Sequence, residues 1–171
     1  MLIAQERLKE VAHYNPETGI FTRLKRTGNN NGCNVGKEMG HSDCNGYKFV
    51  SIDFNCYALH RLAWFYMTGE WPKNEIDHIN GNKIDNRFCN LRDIPKAMNA
   101  QNYQGPQKNN SSGFLGVHYI SRPKVKKPYN PWRAAITANG KRIHIGYFAT
   151  PELAHEAYLE AKRKYHQGCT I

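Results

Sequence analysis

Apolar positions along the first hundred residues change their period several times. In residues 2–13 (LIAQERLKEVAH) Leu2, Leu8, Val11 and Ala12 recur at roughly helical spacing, which predicts a short N-terminal helix. YNPETGIFTRL follows, a Pro-Glu-Thr-Gly turn leading into a short strand. Residues 27–46 are dominated by Gly and Asn and read as loop with room for one short strand. In GYKFVSIDFNCYALH the residues Tyr47, Phe49, Ser51 and Asp53 alternate with Lys48, Val50, Ile52 and Phe54, which predicts a hairpin turning at Phe54-Asn55. His60–Thr68 (HRLAWFYMT) forms a compact apolar helix stopped by Gly69 and then Trp71-Pro72. Residues 75–93 read as strand, loop and strand, and Pro95 opens a helix to about Asn102 because proline suits the first helical position.

The polar segment QNYQGPQKNNSS at 101–112 lacks apolar periodicity and predicts a boundary between domains of about 1–104 and 105–171. Beyond it FLGVHY, WRAAITA and KRIHIGYF are strand candidates, the last two joined by the two-residue turn Asn139-Gly140. Thr150-Pro151 is a helix N-cap with proline behind it. Leu153, Ala157 and Ala161, with Ala154, Tyr158 and Tyr165 beside them, give that helix an apolar stripe for packing on a sheet. The whole predicts an α+β chain whose second half is a small three-stranded antiparallel sheet plus one helix, with the other face of the sheet left open.

Charge gives that open face a role. The chain carries 24 Lys and Arg against 14 Asp and Glu, and no acidic residue falls between Asp93 and Glu152. A one-signed stretch of that length suits a polyanion partner better than a plain solvated surface. MLIAQERLKE has no apolar core of a signal peptide, and no apolar run is long enough to span a bilayer, so no membrane partner is expected. Five cysteines without a Cys-x-x-Cys pair suit free thiols in a reducing cytoplasm. Cys33, His41, Cys44 and Cys56 do not have the spacing of a zinc knuckle, so zinc is not favoured.

The chemistry concentrates in EIDHINGNKIDNRFCNLRD at 75–93, where Asp77 and His78 precede an Asn-Gly step and Asn86 and Asn90 follow. Residue types alone leave three readings open: a polar hairpin, a structural zinc site, and a catalytic metal site. The third is coherent because cutting a phosphodiester needs a cation, hard oxygen ligands and a base. Asp and Asn oxygens suit magnesium, which keeps several waters. Histidine has the side-chain pKa nearest neutrality and can take a proton from water. Regular strand geometry opposes the idea, since neighbours such as Asp77 and His78 point to opposite faces.

HRLAW at 60–64, EIDHINGNKIDNRFCNLR at 75–92 and the following helix with Asn99 resemble the HNH endonucleases of phages and mobile introns. That resemblance implies a ββα-metal fold with its core at about 58–103 that cleaves DNA with Mg2+ or Mn2+. It implies Asp77 and Asn99 as metal ligands, His78 as general base, Asn90 as the residue that fixes the loop, and His60 as a supporting residue or phosphate contact. A phage or mobile-element origin would place the protein in a bacterial cytoplasm. NNSSGFLGVHY, WRAAITANGKRIHIGYF and TPELAHEAYLEAKRKYHQG resemble the plant ethylene-response-factor, or APETALA-two, DNA-binding domain. In that family the sheet enters the major groove.

Alternation then puts His118, Ile120, Arg133, Ala135, Thr137, Arg142 and His144 on the exposed face, with Val117, Ala134, Ile136, Ile143 and Ile145 against the helix. The DNA-binding residues expected are His118, Arg122, Lys124, Lys126, Lys127, Arg133, Thr137, Arg142 and His144, with Lys124, Lys126 and Lys127 as phosphate anchors. The plant family has Arg, Arg and Trp where this chain has His118, Thr137 and His144, so the plant target does not transfer. The expected partner is double-stranded DNA. A single HNH constellation and the lack of a dimer-forming segment predict a monomer that nicks one strand. The competing function is a DNA-binding regulator or architectural protein with a dead nuclease site.

Overall fold

The computed structural model describes residues 2–27, 35–102, 105–106, 110–121 and 130–170. Its contacts divide the chain into two compact units, Met1–Lys96 and Ala97–Ile171.

The first unit begins with helix α1 (Gln5–Val11) and passes directly into strand β1 (Ala12–Asn15), paired antiparallel with β2 (Ile20–Arg23). The helix expected to reach residue 13 therefore ends sooner: Ala12 is already extended (φ −144°, ψ 141°), because Ala12 and Tyr14 turn their side chains into the core as strand residues. Asn15 Oδ1 accepts from the backbone N–H groups of Glu17 and Thr18, and Gly19 takes a left-handed conformation (φ 73°) to close the turn.

Strands β3 (His41–Ser42), β4 (Lys48–Ile52) and β5 (Asn55–Ala58) form a second antiparallel sheet in that order. The β4–β5 turn is Asp53-Phe54, one residue before the expected position. Both residues have positive φ (47° and 64°), as a tight hairpin requires, and Ile52 pairs with Asn55 across it. Helix α2 (Leu59–Thr68) buries Leu59, Leu62, Ala63 and Phe65 and ends at Gly69, whose left-handed backbone lets its N–H reach Phe65 O at 2.9 Å.

Strands β6 (Glu75–His78) and β7 (Leu91–Ile94) are paired antiparallel, with Asp77 opposite Arg92 and His78 opposite Leu91. The approach to β6 is held by Asp93, whose carboxylate oxygens accept from the backbone N–H groups of Lys73 and Asn74 at 2.8 and 2.9 Å. The loop between the two strands closes with a 3-10 turn at Phe88–Asn90. One core serves the unit, with Tyr14, Phe21, Val50, Ile52, Leu62, Phe65, Ile76 and Leu91 among its members. After Pro95, α3 (Lys96–Asn99) continues as a 3-10 turn over Ala100–Asn102, matching the helix expected there.

In the second unit, β8 (Val117–Tyr119), β9 (Trp132–Ala138) and β10 (Lys141–Phe148) form an antiparallel sheet in the order β10-β9-β8, and α4 (Pro151–Tyr165) packs on it. Asn139 and Gly140 both have positive φ at the β9–β10 turn, and the Thr150 side chain caps Leu153 N. The buried stripe of α4 runs through Ala154, Tyr158 and Lys162, one position on from the stripe expected; Leu153 and Tyr165 are exposed. Gly116 explains part of that rotation. A side chain there would overlap the Tyr158 ring, so its absence lets Tyr158 settle against the start of β8. Val117, Ala134, Ile136, Ile143 and Ile145 all join the core under the helix, as alternation requires.

Candidate functional site

Asp77 and His78 are the last two residues of β6, and both are buried (7% and 4% exposed). They diverge, as neighbours on a strand must, and each meets its own partner. Arg92, directly across the ladder, donates from Nε and Nη2 to Asp77 Oδ2 at 2.8 and 2.7 Å. On the other side, His78 Nε2 lies 3.1 Å from Asn86 Oδ1. With that amide oxygen as acceptor, the Nε2 proton is fixed and the basic lone pair is on Nδ1. Burial pushes the His78 imidazole below its ordinary value of 6.5, partly opposed by the Asn86 bond and by the carboxylates of Asp77 and Asp85. It is therefore neutral near pH 7.

Asn86 is 2% exposed and is held from the far side by the first hairpin. Tyr14 Oη donates to Asn86 O at 2.6 Å, Phe88 N donates to Pro16 O at 3.0 Å, and Gly19 lies against the Asn86–Arg87 peptide, where any Cβ would clash. The β1–β2 hairpin is thus a brace behind the residue that orients His78. Asn90 ties the loop internally. Its Nδ2 donates to Asp85 O and Asn80 Oδ1 at 2.8 and 3.0 Å, its Oδ1 accepts from Asn80 N, and its carbonyl accepts from Ile79 N. Asp85 adds a bond from Asn80 and an ion pair to Arg87, which together hold its carboxyl at about 2.

His60, in the first turn of α2, sits with its ring centroid 5.3 Å from that of His78. Tyr47 touches both, at 5.2 Å from His60 and 6.1 Å from His78, and Lys83 Nζ stands 4.7 Å above the Tyr47 ring. Burial, followed by the charges of His78 and Arg61, holds the His60 imidazole at about 4. Asp77, His78, Asn90 and His60 thus gather in the first unit, whereas Asn99, half-buried at the end of α3, falls in the second. Asn86, Arg92 and Tyr47 are the neighbours that the site residues expected from sequence leave out. For Asn86 a signal existed, since it is an Asn eight residues beyond His78 in an Asn-rich loop. Nothing in the sequence announces Tyr47.

Among the described residues, no group of three or more His, Cys, Asp or Glu side chains is placed to hold a metal ion. The Asp77 carboxylate, with one oxygen engaged by Arg92, is a hard anionic donor. It fits a cation such as magnesium that takes few protein oxygens and keeps its waters. Cys44 and Cys56 are exposed thiols, and Cys33 lies outside the described residues.

The sheet of the second unit gathers most of the other expected residues. Cross-strand pairing puts His118, Arg133 and Tyr147 in one row, Ala135 and His144 in a second, and Thr137 and Arg142 in a third. His118, Thr137, Arg142 and His144 are exposed and Arg133 is half-buried. Tyr147 was not expected on this face. A bulge between His144 and Gly146 shifts the register by one residue, so Ile145 keeps its place in the core while Tyr147 turns outward beside His144, ring centroids 4.7 Å apart. The Ile145-Gly146 step was the available signal. Burial and the neighbouring Arg142 and Arg133 push the His118 imidazole down. Arg122, Lys124, Lys126 and Lys127 lie outside the described residues.

Comparison with known proteins bears on the first unit most directly. Residues 57–101, from β5 through the 3-10 turn after α3, match a family model described as HNH endonuclease. Protein 3.8 of Escherichia phage T7 is 34% identical over 84 residues, covering 48% of this chain and 64% of that protein. An uncharacterised HNH endonuclease of Acanthamoeba polyphaga mimivirus is 31% identical over 126 residues, covering 72% of this chain and 60% of its own length. The chain thus spans less than two thirds of either relative. No solved structure matches it. Residues 57–101 are thus similar to the HNH endonuclease family, and the chain is similar over part of its length to a viral protein named an HNH endonuclease. No helix among the described residues is long and apolar enough to cross a membrane.

Proposed function

We propose that this protein is a metal-dependent DNA endonuclease in which residues of about 1–104 cut and those of about 105–171 locate the duplex. The observation that carries the proposal is the buried Asp77–His78 pair, with His78 Nε2 held by Asn86, inside the segment that matches the HNH family. A plain DNA-binding protein has no need to bury a carboxylate and an imidazole side by side and to brace each of them.

In this reading residues of about 58–103 act as a ββα-metal nuclease core, as the family resemblance implies. Asp77 would hold Mg2+ or Mn2+ through oxygen, with Asn99 the second ligand that the family resemblance implies, and Arg92 orients the Asp77 carboxylate. Bound there, the cation would neutralise charge developing on the phosphate. His78 Nδ1 takes the proton of the attacking water, the neutral ring being a competent base near pH 7. Asn86 fixes the ring's tautomer, and Asn90 keeps the intervening loop closed. The sheet of the second unit lies in the major groove, in the manner of the APETALA-two fold. His118, Arg133, Thr137, Arg142, His144 and Tyr147 face the bases, and Arg122, Lys124, Lys126 and Lys127 anchor phosphates. A monomer has one such site and leaves a nick.

Incubating the full chain with supercoiled plasmid and magnesium, with and without a chelator, tests the proposal. Nicked circles that require the metal are expected. Persistence of supercoiled DNA with magnesium or manganese at every enzyme level would leave the inactive DNA-binding regulator as the better reading.

A further inference from the structure

Residues 57–101 match the HNH family, yet the two units divide between Lys96 and Ala97, so the end of the matched segment folds with the sheet unit. That end is α3 and the 3-10 turn after it, and no residue of α3 is fully buried. A single helical turn has too few internal bonds to persist alone in water. Support comes from the turn that follows α4. There the Gly168 N–H donates to Gln101 Oε1 at 3.1 Å, and the Thr170 hydroxyl bonds to Oδ1 of the buried Asn102. Gly168 passes so close to α3 that a Cβ on it would stand 2.3 Å from the Met98 carbonyl oxygen, a backbone atom that cannot swing aside. The turn is itself anchored. Cys169 N donates to His166 O at 3.1 Å, and His166 Nε2 lies 2.9 Å from Thr137 O on β9. A carbonyl only accepts, so the His166 proton is on Nε2 and the ring ties the turn to the sheet.

We propose, building on the nuclease reading above, that residues 166–170 are a positioning segment for cleavage, which holds α3, and with it Asn99, in the place cutting requires. They act through α3 and need no contact with the scissile phosphate. The contacts run from β9, where the Thr137 side chain is exposed on the face proposed to meet DNA, through the His166 ring and the Gly168 backbone to Met98, next to Asn99. The helix that ends the HNH segment is thereby fixed to the strand proposed to read the duplex. Seating DNA on the sheet then also sets where α3 stands relative to it. Cutting and locating are therefore not separable at the polar segment 101–112.

Four variants of the full chain test this. Gly168→Val forces a side chain against the Met98 carbonyl, Gln101→Met removes the acceptor of the Gly168 N–H, and Gln101→Glu restores an acceptor at the same length. Gly105→Val is the control, because a Cβ there meets nothing within 4 Å. Hydrogen exchange of the amides at 97–102 is measured without metal. Single-turnover nicking across magnesium concentrations, plasmid affinity without metal and thermal midpoint are recorded beside it, with Asp77→Ala and His78→Ala run in parallel. Gly168→Val and Gln101→Met should speed exchange at 97–102 by about 10-fold, the scale of losing one hydrogen bond from a locally opening element. They should slow nicking at low magnesium by a similar factor and raise the half-saturating magnesium concentration, with plasmid affinity unchanged. Gln101→Glu and Gly105→Val should behave as wild type. Unchanged exchange in Gly168→Val overturns the proposal, as does faster exchange with a wild-type nicking rate at every magnesium level. So does a loss of rate that tracks plasmid affinity or thermal midpoint and leaves the magnesium dependence in place, or a loss in Gln101→Glu equal to that in Gln101→Met. Wild-type rates for Asp77→Ala and His78→Ala would instead remove the nuclease site itself, and this proposal with it.

Discussion

Arg92 holds Asp77 from the position directly opposite on the neighbouring strand, with Nε and Nη2 both within 2.8 Å of one carboxylate oxygen. The pair is asymmetric, since the Asp77 side chain is 8% exposed and that of Arg92 25%. Loss of the guanidinium therefore removes two donors from a buried carboxylate, whereas loss of the carboxylate leaves an arginine that water can reach.

Asp77→Ala should abolish metal-dependent cleavage while the chain stays folded. Arg92→Ala should destabilise the first unit by about 1–3 kcal/mol, below the 3–5 kcal/mol of a fully buried pair because Arg92 is partly hydrated. It should also raise the magnesium concentration needed for cleavage, since the carboxylate loses the partner that fixes its orientation. Cleavage against magnesium concentration, together with urea unfolding, measures both. An unchanged magnesium dependence in Arg92→Ala would separate Asp77 from the metal.

His78→Ala should retain the metal yet cut at least ~100-fold more slowly, the low end of what removing a general base costs. Asn86→Ala should slow cleavage by roughly 10–100-fold without touching substrate, by freeing the ring to adopt the other tautomer. Asn90→Ala works differently. Its side chain makes three bonds within the loop, so about 2–3 kcal/mol of stability should go with the activity. Differential scanning calorimetry beside the plasmid assay distinguishes the two asparagines: Asn90→Ala should lower the thermal midpoint further than Asn86→Ala for the same loss of rate.

The Asn pair also marks where the sequence stops being informative. Elements that local chemistry dictates were legible: the Gly69 helix stop, the Asn139-Gly140 turn, the Thr150-Pro151 start and the alternation that sends Ile136 and Ile143 inward. The short N-terminal helix was misjudged in length because Ala12 suits helix and strand alike, and only packing decides. At the site, Asp77 and His78 stood out as residue types. The brace on Asn86 comes from Tyr14, seventy-two positions away in sequence. Tyr47, just before β4, and His60, in α2, meet His78 through ring contacts made by tertiary packing, a relationship without a local signature. Tyr147 was left out of the open face for a narrower reason, since strict alternation fails at one bulged residue.

That residue supports a prediction for the second unit. Under the proposed docking, Tyr147→Ala should cost about 1–3 kcal/mol against the preferred duplex and little against a random one, as removal of a base contact does. Lys124→Ala, at a proposed phosphate anchor, should weaken binding to both and reduce the slope of affinity against salt by about 1. Fluorescence anisotropy with two duplexes across a salt series reads both numbers. Equal losses on the two duplexes for Tyr147→Ala would confine its role to the backbone.

The pH dependence of stability follows from the group buried beside the base. His60 has its folded-state pKa lowered from 6.5 to about 4, so the unfolded chain binds more protons than the folded one between those values. Stability from this group is complete above pH 6.5 and is lost as pH falls through that window, by up to roughly 3 kcal/mol at 1.36 kcal/mol per unit. His78 is lowered too and contributes in the same direction. The carboxylates act elsewhere. Asp85 and Glu10 are held at about 2, so what they contribute is present above their ordinary range near 4 and fades only below it. Two limbs should therefore appear in urea unfolding across acid pH, an upper one from the histidines and a lower one from the carboxylates. His60→Gln should remove most of the upper limb and leave the lower one in place. If the upper limb survives unchanged in His60→Gln, the histidine is not buried in its neutral form.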